Sequence, residues 1–155
     1  MDSDDGLKKI YVSIASYRDP LLNSTILDIF NKSQNPSRIF VGCFIQAYEN
    51  DIDCKLKKKY DNVFIDQEIP GKIFSVTECR NRALRWIDNT YDFVLQIDSH
   101  TRFKKNWDED LINMWKSAKD NRALLSTTTS SWVPSKDGDI LEDFDGIVVF
   151  QEFNN

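Results

Sequence analysis

No apolar run in this chain approaches the ~20 residues of a membrane-spanning helix, so no helical span is expected. The start, MDSDDGLKK, is acidic and lacks a long apolar region, so it does not read as a signal peptide. Cysteine is sparse. Cys43, Cys54 and Cys79 show no paired metal-ligand spacing, and an odd count without a signal sequence implies reduced thiols and a cytoplasmic protein. Cys43 and Cys79 fall on apolar faces and read as core. Positive charge is not in excess: the net charge is −5 and the pI about 4.9. Wholesale binding to nucleic acid is therefore excluded, although a local basic patch is not. There is no glycine-rich phosphate loop, which weakens a nucleotidyltransferase-like reading. Internal repeats, interdomain linkers and low-complexity tracts are also missing, so the 155 residues form one domain, with residues 1–8 as a disordered tail.

What is present suits a folded globule, with 41% hydrophobic and 12% aromatic residues. Lys9 to Ala15 (KIYVSIA) is a first strand rich in β-branched residues. It runs into Ser16-Tyr17-Arg18-Asp19-Pro20, where Asp19 as cap and Pro20 at the first position start a helix that stops before Asn35-Pro36. Arg38 to Gln46 is a second buried strand, Asp51 to Tyr60 a short helix, and Asn62 to Asp66 a third strand. Ser75-Val76-Thr77-Glu78 has the capping-box pattern, so a helix begins near Ser75. Its apolar face takes Val76, Cys79, Ala83, Trp86 and Ile87, with Arg82 and Arg85 facing water. Phe93 to Asp98 reads as the most buried strand. Thr101 to Phe103 is a brief strand candidate. Asn106 caps a helix from Trp107 to about Lys119 with an inward stripe of Trp107, Leu111 and Trp115. Leu124 to Thr129 and Ile147 to Phe150 are the last strand candidates, separated by a loop over Ser130 to Glu142. Alternating strands and helices predict a largely parallel, doubly wound α/β sheet.

The chemistry concentrates after the fourth strand, at Asp98-Ser99-His100, which holds the only histidine. A strand's carboxyl end is where an open α/β sheet places its ligand. Strand alternation points Asp98 and His100 to one side, where a carboxylate and an imidazole make half of a divalent-metal site. Asp and Ser at a strand end are equally compatible with a plain turn. At the first strand's end, Tyr17 could stack on a base and Arg18 meet phosphate, while Asp19 reads as a cap. Arg80, one turn into the capped helix, could reach a pyrophosphate. A surface ion pair explains it almost as well. Gly71 and Lys72 form a basic loop, and Asp66 ends the third strand, where it could bond a base or ribose.

QIDSHTRFKKNWDEDLI (Gln96 to Ile112) resembles the signature of the polypeptide N-acetylglucosaminyltransferase family, and VSIASYRDP (Val12 to Pro20) resembles that family's opening motif. The resemblance covers roughly Ile10 to Met114. It implies a GT-A, Rossmann-like fold whose DxD-type motif is written Asp98-Ser99-His100, with Asp98 and His100 holding Mn²⁺ or Mg²⁺. The imidazole favours Mn²⁺. It further implies that Ala15, Ser16, Tyr17 and Arg18 border a uridine, and that Asp98 and Arg80 act on the leaving pyrophosphate. The donor-binding set is then Ala15, Ser16, Tyr17, Arg18, Asp66, Lys72, Arg80, Asp98 and Ser99.

The expected activity is transfer of N-acetylglucosamine, or a related sugar, from a UDP-sugar to a protein or peptide hydroxyl, with retention implied by the resemblance alone. The alternative is a partial module that binds UDP-sugar and metal and assembles with another chain. Trp107 and Asp108 match the family signature but read as a core residue and a first-turn helix acid. Trp132 is either a sugar platform or a loop anchor. Asp143 and Asp145 are candidate third metal ligands. The family's acceptor region has no counterpart here, which suggests a truncated member and a homodimer covering the apolar surface so exposed.

Overall fold

A computed structural model describes residues 6–71, 74–126, 132–133 and 140–141 of the chain, the last four by their backbone. The β-branched first stretch forms β1 (Ile10–Tyr17). The turn around Pro20 leads into α1 (Leu22–Lys32), which buries Leu22, Thr25, Ile26 and Ile29. The helix starts later than Asp19-Pro20 implies, because Asp19 closes a turn first: its Oδ1 accepts the Leu21 N–H at 2.9 Å. A single 3₁₀ turn, Pro36–Arg38, precedes β2 (Ile39–Gln46).

The helix expected over Asp51 to Tyr60 is instead one 3₁₀ turn, Ile52–Cys54. Asn23 of α1 explains this. Its amide donates to the carbonyls of Asp53 (3.1 Å) and Lys55 (2.7 Å), and its Oδ1 accepts the Lys57 N–H (2.9 Å). Backbone groups that a helix would pair internally are thus paired with a neighbouring side chain. β3 (Val63–Glu68) follows, then α2 (Val76–Ala83), β4 (Phe93–Asp98) and α3 (Trp107–Ser117).

The four strands form one parallel sheet in the order β3-β2-β1-β4. Strands march from β1 to β3 on one side, and the chain then returns to place β4 on the other. This is an α/β sheet with flanking helices, compatible with a Rossmann-like arrangement, and its topological switch point lies between β1 and β4. The core sits on β1 and β2: Tyr11, Val12, Ile14, Ile39, Val41, Cys43 and Phe44 have no exposed surface. Parallel strands covered on both faces are buried continuously.

β4 is not the most buried strand. Among the described residues it pairs with β1 alone, and Val94 is half exposed. Its apolar composition reflects β-strand preference as well as burial.

α2 begins as expected, with Ser75 Oγ accepting the Glu78 N–H at 3.1 Å. It ends at Ala83, however, and buries only Cys79 and Ala83. Val76 and Ile87 are exposed. Arg82, expected in water, lies over the Phe44 ring at 4.3 Å and grips Asp66 with two bonds of 2.7 and 2.8 Å. Arg85 is largely exposed but donates to the same carboxylate at 3.1 Å.

Tyr11 reaches across from β1 to donate its hydroxyl to the Ala83 carbonyl at 2.6 Å. Gly42 makes this possible, because a Cβ there would collide with the Tyr11 hydroxyl and the Ala83 carbonyl. The three cysteines are free and buried, and burial pushes the Cys43 thiol up to about 12.

Residues 101–103 form no strand. α3 buries Trp107, Asp108 and Ile112, so the inward stripe is set one residue over from the Leu111 and Trp115 positions, which are only partly covered.

The chain divides into units of residues 1–109 and 110–155. In the second, residues 124–126 are not a strand. The stretch expected to be a loop contains an antiparallel ladder of β5 (Trp132–Val133) and β6 (Ile140–Leu141), pairing Trp132 with Leu141 and Val133 with Ile140. The tail at 1–5, the remainder of the Leu124 to Thr129 candidate and the strand candidate Ile147 to Phe150 lie outside the described residues.

Candidate functional site

β1 and β4 run in register from Ile10–Phe93 to Ala15–Asp98. The last pair puts Asp98 beside Ala15 at the carboxyl edge of the sheet, on the switch point. Asp98 is well exposed there, at 68% of its side chain, and Arg80 Nη2 from α2 lies 3.8 Å from its Oδ1. An ion pair this long and this open leaves the carboxylate able to exchange Arg80 for a ligand.

β4 ends at Asp98, so strand alternation does not carry to His100. Ser99 and His100 lie in a turn, closed by the Thr101 Oγ1 and N–H donating to the Asp98 carbonyl at 2.8 and 3.3 Å. Ser99 is pointed inward, 5% exposed. Its carbonyl accepts from Thr25 Oγ1 (2.7 Å), and its hydroxyl donates to Asp19 Oδ2 (2.6 Å). His100 Nδ1 lies 2.9 Å from that same oxygen.

Asp19, which read as a helix cap, does cap its own loop but also ties the two motifs together. Burial pushes its carboxyl up, and the bonds from Ser99, His100 and the Leu21 N–H more than offset this, leaving it below the usual carboxylate range.

α1 is the template on which the motif segment is laid. Arg102 donates to Thr25 Oγ1 (3.1 Å) and Ser24 Oγ (2.8 Å), and the Phe103 N–H donates to Asp28 (2.7 Å). Trp107 Nε1 donates to the Ile29 carbonyl at 2.9 Å. Sequence reasoning missed Ser24, Thr25 and Asp28. The available signal was Thr25 on an otherwise aliphatic buried face, since a buried hydroxyl needs a partner.

The β1 end divides its residues. Ala15 is partly covered, and Ser16 is buried with an Oγ that finds no hydrogen-bond partner among the described residues. Tyr17 is 63% exposed. Arg18 holds a left-handed backbone, φ 48°, a costly conformation for a non-glycine residue. Its N–H donates to the Gln46 carbonyl at 2.9 Å. Its guanidinium grips Asp51 with bonds of 2.8 and 3.0 Å and lies 5.0 Å from the Tyr48 ring.

Asp66 does not end the third strand: β3 runs on to Glu68, and the Asp66 carboxylate is occupied by Arg82 and Arg85. Burial raises its carboxyl and the Arg82 guanidinium lowers it further, so it ends below the usual range. Lys72 and the side chain of Trp132 lie outside what the structure describes, as do Asp143 and Asp145. A hollow of about 340 Å³ opens at the same sheet edge beyond β2 and β3, lined by Ala47, Glu49, Lys55, Gln67, Glu68 and Ile69.

Asp98 and His100 thus offer one carboxylate and one imidazole, a donor set suited to Mn²⁺ and less so to Mg²⁺. Among the described residues no three His, Cys, Asp or Glu side chains gather as a metal cluster.

A parallel α/β sheet with polar and ionisable groups at its switch point is an arrangement in which α/β proteins place a ligand. The family model for Glycosyltransferase (GlcNAc) matches residues 9–84 and 80–150. The chain belongs to this family of N-acetylglucosamine glycosyltransferases, and with it to the transferases. No curated protein and no solved structure matches the chain. Among the described residues no helix is long and apolar enough to cross a membrane.

Proposed function

We propose that the chain is a GT-A-type, metal-dependent enzyme that transfers N-acetylglucosamine, or a related sugar, from a UDP-sugar to a protein or peptide hydroxyl. The observation that carries this reading is the in-register pairing of Ala15 with Asp98 across the switch point, which brings the residues of both motifs to one sheet edge. The exposed Tyr17 ring stacks on the uracil, and the β1 end around Ala15 and Ser16 borders the nucleoside. Asp98 and His100 hold the cation, and Asp98 exchanges its long contact with Arg80 when it does so. Arg80 then turns to the terminal phosphate of the donor. When bound, the cation neutralises charge that grows on the departing diphosphate. Arg80 supplies fixed positive charge to the same oxygens. Arg18, held by Asp51 and the Tyr48 ring, shapes the loop and reaches phosphate only by letting Asp51 go.

The alternative that the same site allows is a partial module that binds UDP-sugar and cation and acts through assembly with another chain.

Calorimetry with UDP, with and without Mn²⁺, tests the common ground. Wild type should bind UDP far more tightly with Mn²⁺, and both Asp98→Asn and His100→Ala should lose that enhancement. UDP binding in neither condition would sink the donor site. Incubation with UDP-N-acetylglucosamine and serine- or threonine-containing peptides, followed by mass spectrometry, then separates transfer from binding alone.

A further inference from the structure

Two oxygens of one carboxylate divide the work at the β1–α1 loop. Asp19 Oδ1 takes the Leu21 N–H at 2.9 Å and so fixes the carboxylate to its own loop. Oδ2 takes the Ser99 hydroxyl at 2.6 Å and lies 2.9 Å from His100 Nδ1. The side chain is 15% exposed, whereas that of His100 is 57% exposed. The backbone on which the ring stands is fixed independently, by Thr25 Oγ1 on the Ser99 carbonyl and by the Thr101 bonds to the Asp98 carbonyl. The loop-to-loop connection therefore does not need the ring. The bond to Nδ1 adds an orientation and a choice of proton position.

A carboxylate offers only lone pairs, so the nitrogen bonded to it carries the hydrogen. A neutral ring with hydrogen on Nδ1 presents its lone pair at Nε2. Carboxylates that bond the far nitrogen of a metal-bound imidazole fix its tautomer and raise its basicity.

We propose that Asp19 is a positioning residue, which holds His100 as the Nδ1–H tautomer so that Nε2 is the cation-binding nitrogen. This rests on the reading of His100 as a cation ligand given above. It also explains why a residue on the first motif is spent on one 81 positions away.

The chain contains one histidine, so a long-range ¹H–¹⁵N spectrum of the untagged protein reports this ring alone. At a pH where the ring is neutral, wild type should show a pyridine-like nitrogen at Nε2 and a protonated Nδ1. In Asp19→Asn, the amide oxygen keeps the Leu21 bond and the amide nitrogen faces the ring. Nδ1 must then accept, and the tautomer should flip to Nε2–H. Mn²⁺ binding, read by electron paramagnetic resonance with Mn²⁺ alone and with UDP, should weaken about 10- to 100-fold in Asp19→Asn. Ser99→Ala removes the other donor on Oδ2 and should leave the tautomer unchanged while lowering thermal stability.

An Nε2–H ring in wild type would overturn the proposal, and so would a flip in Ser99→Ala. These two spectra decide it even if Asp19→Asn fails to fold. Wild-type Mn²⁺ affinity retained in a folded Asp19→Asn would overturn the positioning role alone. No Mn²⁺ binding by a wild type with the expected tautomer would overturn the cation reading itself, and with it this proposal.

Discussion

Asp108 lies fully buried at the start of α3, where it accepts the backbone N–H groups of Gln34 (2.6 Å) and Asn35 (3.1 Å). Arg38 Nε sits 3.7 Å away, itself buried and without a hydrogen bond among the described residues. Asp108 is thus a clamp on the end of α1, and the first-turn helix acid expected at this position is the smaller part of its role. Removing the carboxylate takes the partner from two part-buried backbone donors and leaves the buried Arg38 guanidinium with Glu109, 3.1 Å from its Nη1. Asp108→Ala should cost about 2 kcal/mol or more in urea unfolding. A loss under ~1 kcal/mol would show that water replaces the bonds. Asp66 provides a pH test. Its folded carboxyl is held below the unfolded value of ~3.9, so its contribution is present above that value and is lost as pH falls through the lower folded one. Asp66→Asn should therefore be less stable near neutrality and should lose less stability than wild type as pH falls below the usual carboxylate range. Parallel acid profiles for the two proteins would discount the Arg82 pairing.

At the scale of elements, caps and contacts across the sheet decide what each segment is worth. The Ser75 cap on α2 was legible because its partner, Glu78, is three residues away. Ser75→Ala should lower stability by about 1 kcal/mol, measured by thermal unfolding. Gly42 was not legible, because nothing local explains a glycine within a run of buried strand residues. Its reason is the Tyr11 hydroxyl crossing to the Ala83 carbonyl. Gly42→Ala forces a backbone carbonyl or a buried ring to move and should cost at least about 3 kcal/mol, at the upper end of overpacking losses. A near-neutral result would mean that α2 shifts freely on the sheet. The helix expected at Asp51 to Tyr60 failed for a similar reason, since Asn23 on another element takes its backbone groups.

At the scale of the whole chain, the parallel order β3-β2-β1-β4 creates the switch point on which Asp98 lies. β1 and β2 each have hydrogen-bonded neighbours on both sides and are buried throughout most of their length. Their amides should exchange only through global unfolding, while outward-facing amides of β3 exchange by local opening. Hydrogen exchange at residue resolution checks this, and fast exchange in β1 would contradict the central placement.

The sequence by itself determined the order of β1 to β4 with α1, α2 and α3, though not the turn at Ile52–Cys54 or the lack of a strand at residues 101–103, and it determined the parallel α/β class, the burial of Cys43 and Cys79 and the two stretches at which chemistry collects. Periodicity, β-branching and caps are local, so a reader of the chain can recover them. Only the tertiary structure decided that β4 sits beside β1, that Arg82 stacks on Phe44 and occupies Asp66, and that α1 carries the motif segment through Thr25. It alone turned Asp19 from a helix cap into the residue that meets both Ser99 and His100. Those pairings depend on which strands become neighbours and in what register. Non-local strand pairing sets both, and no stretch of the chain contains them by itself.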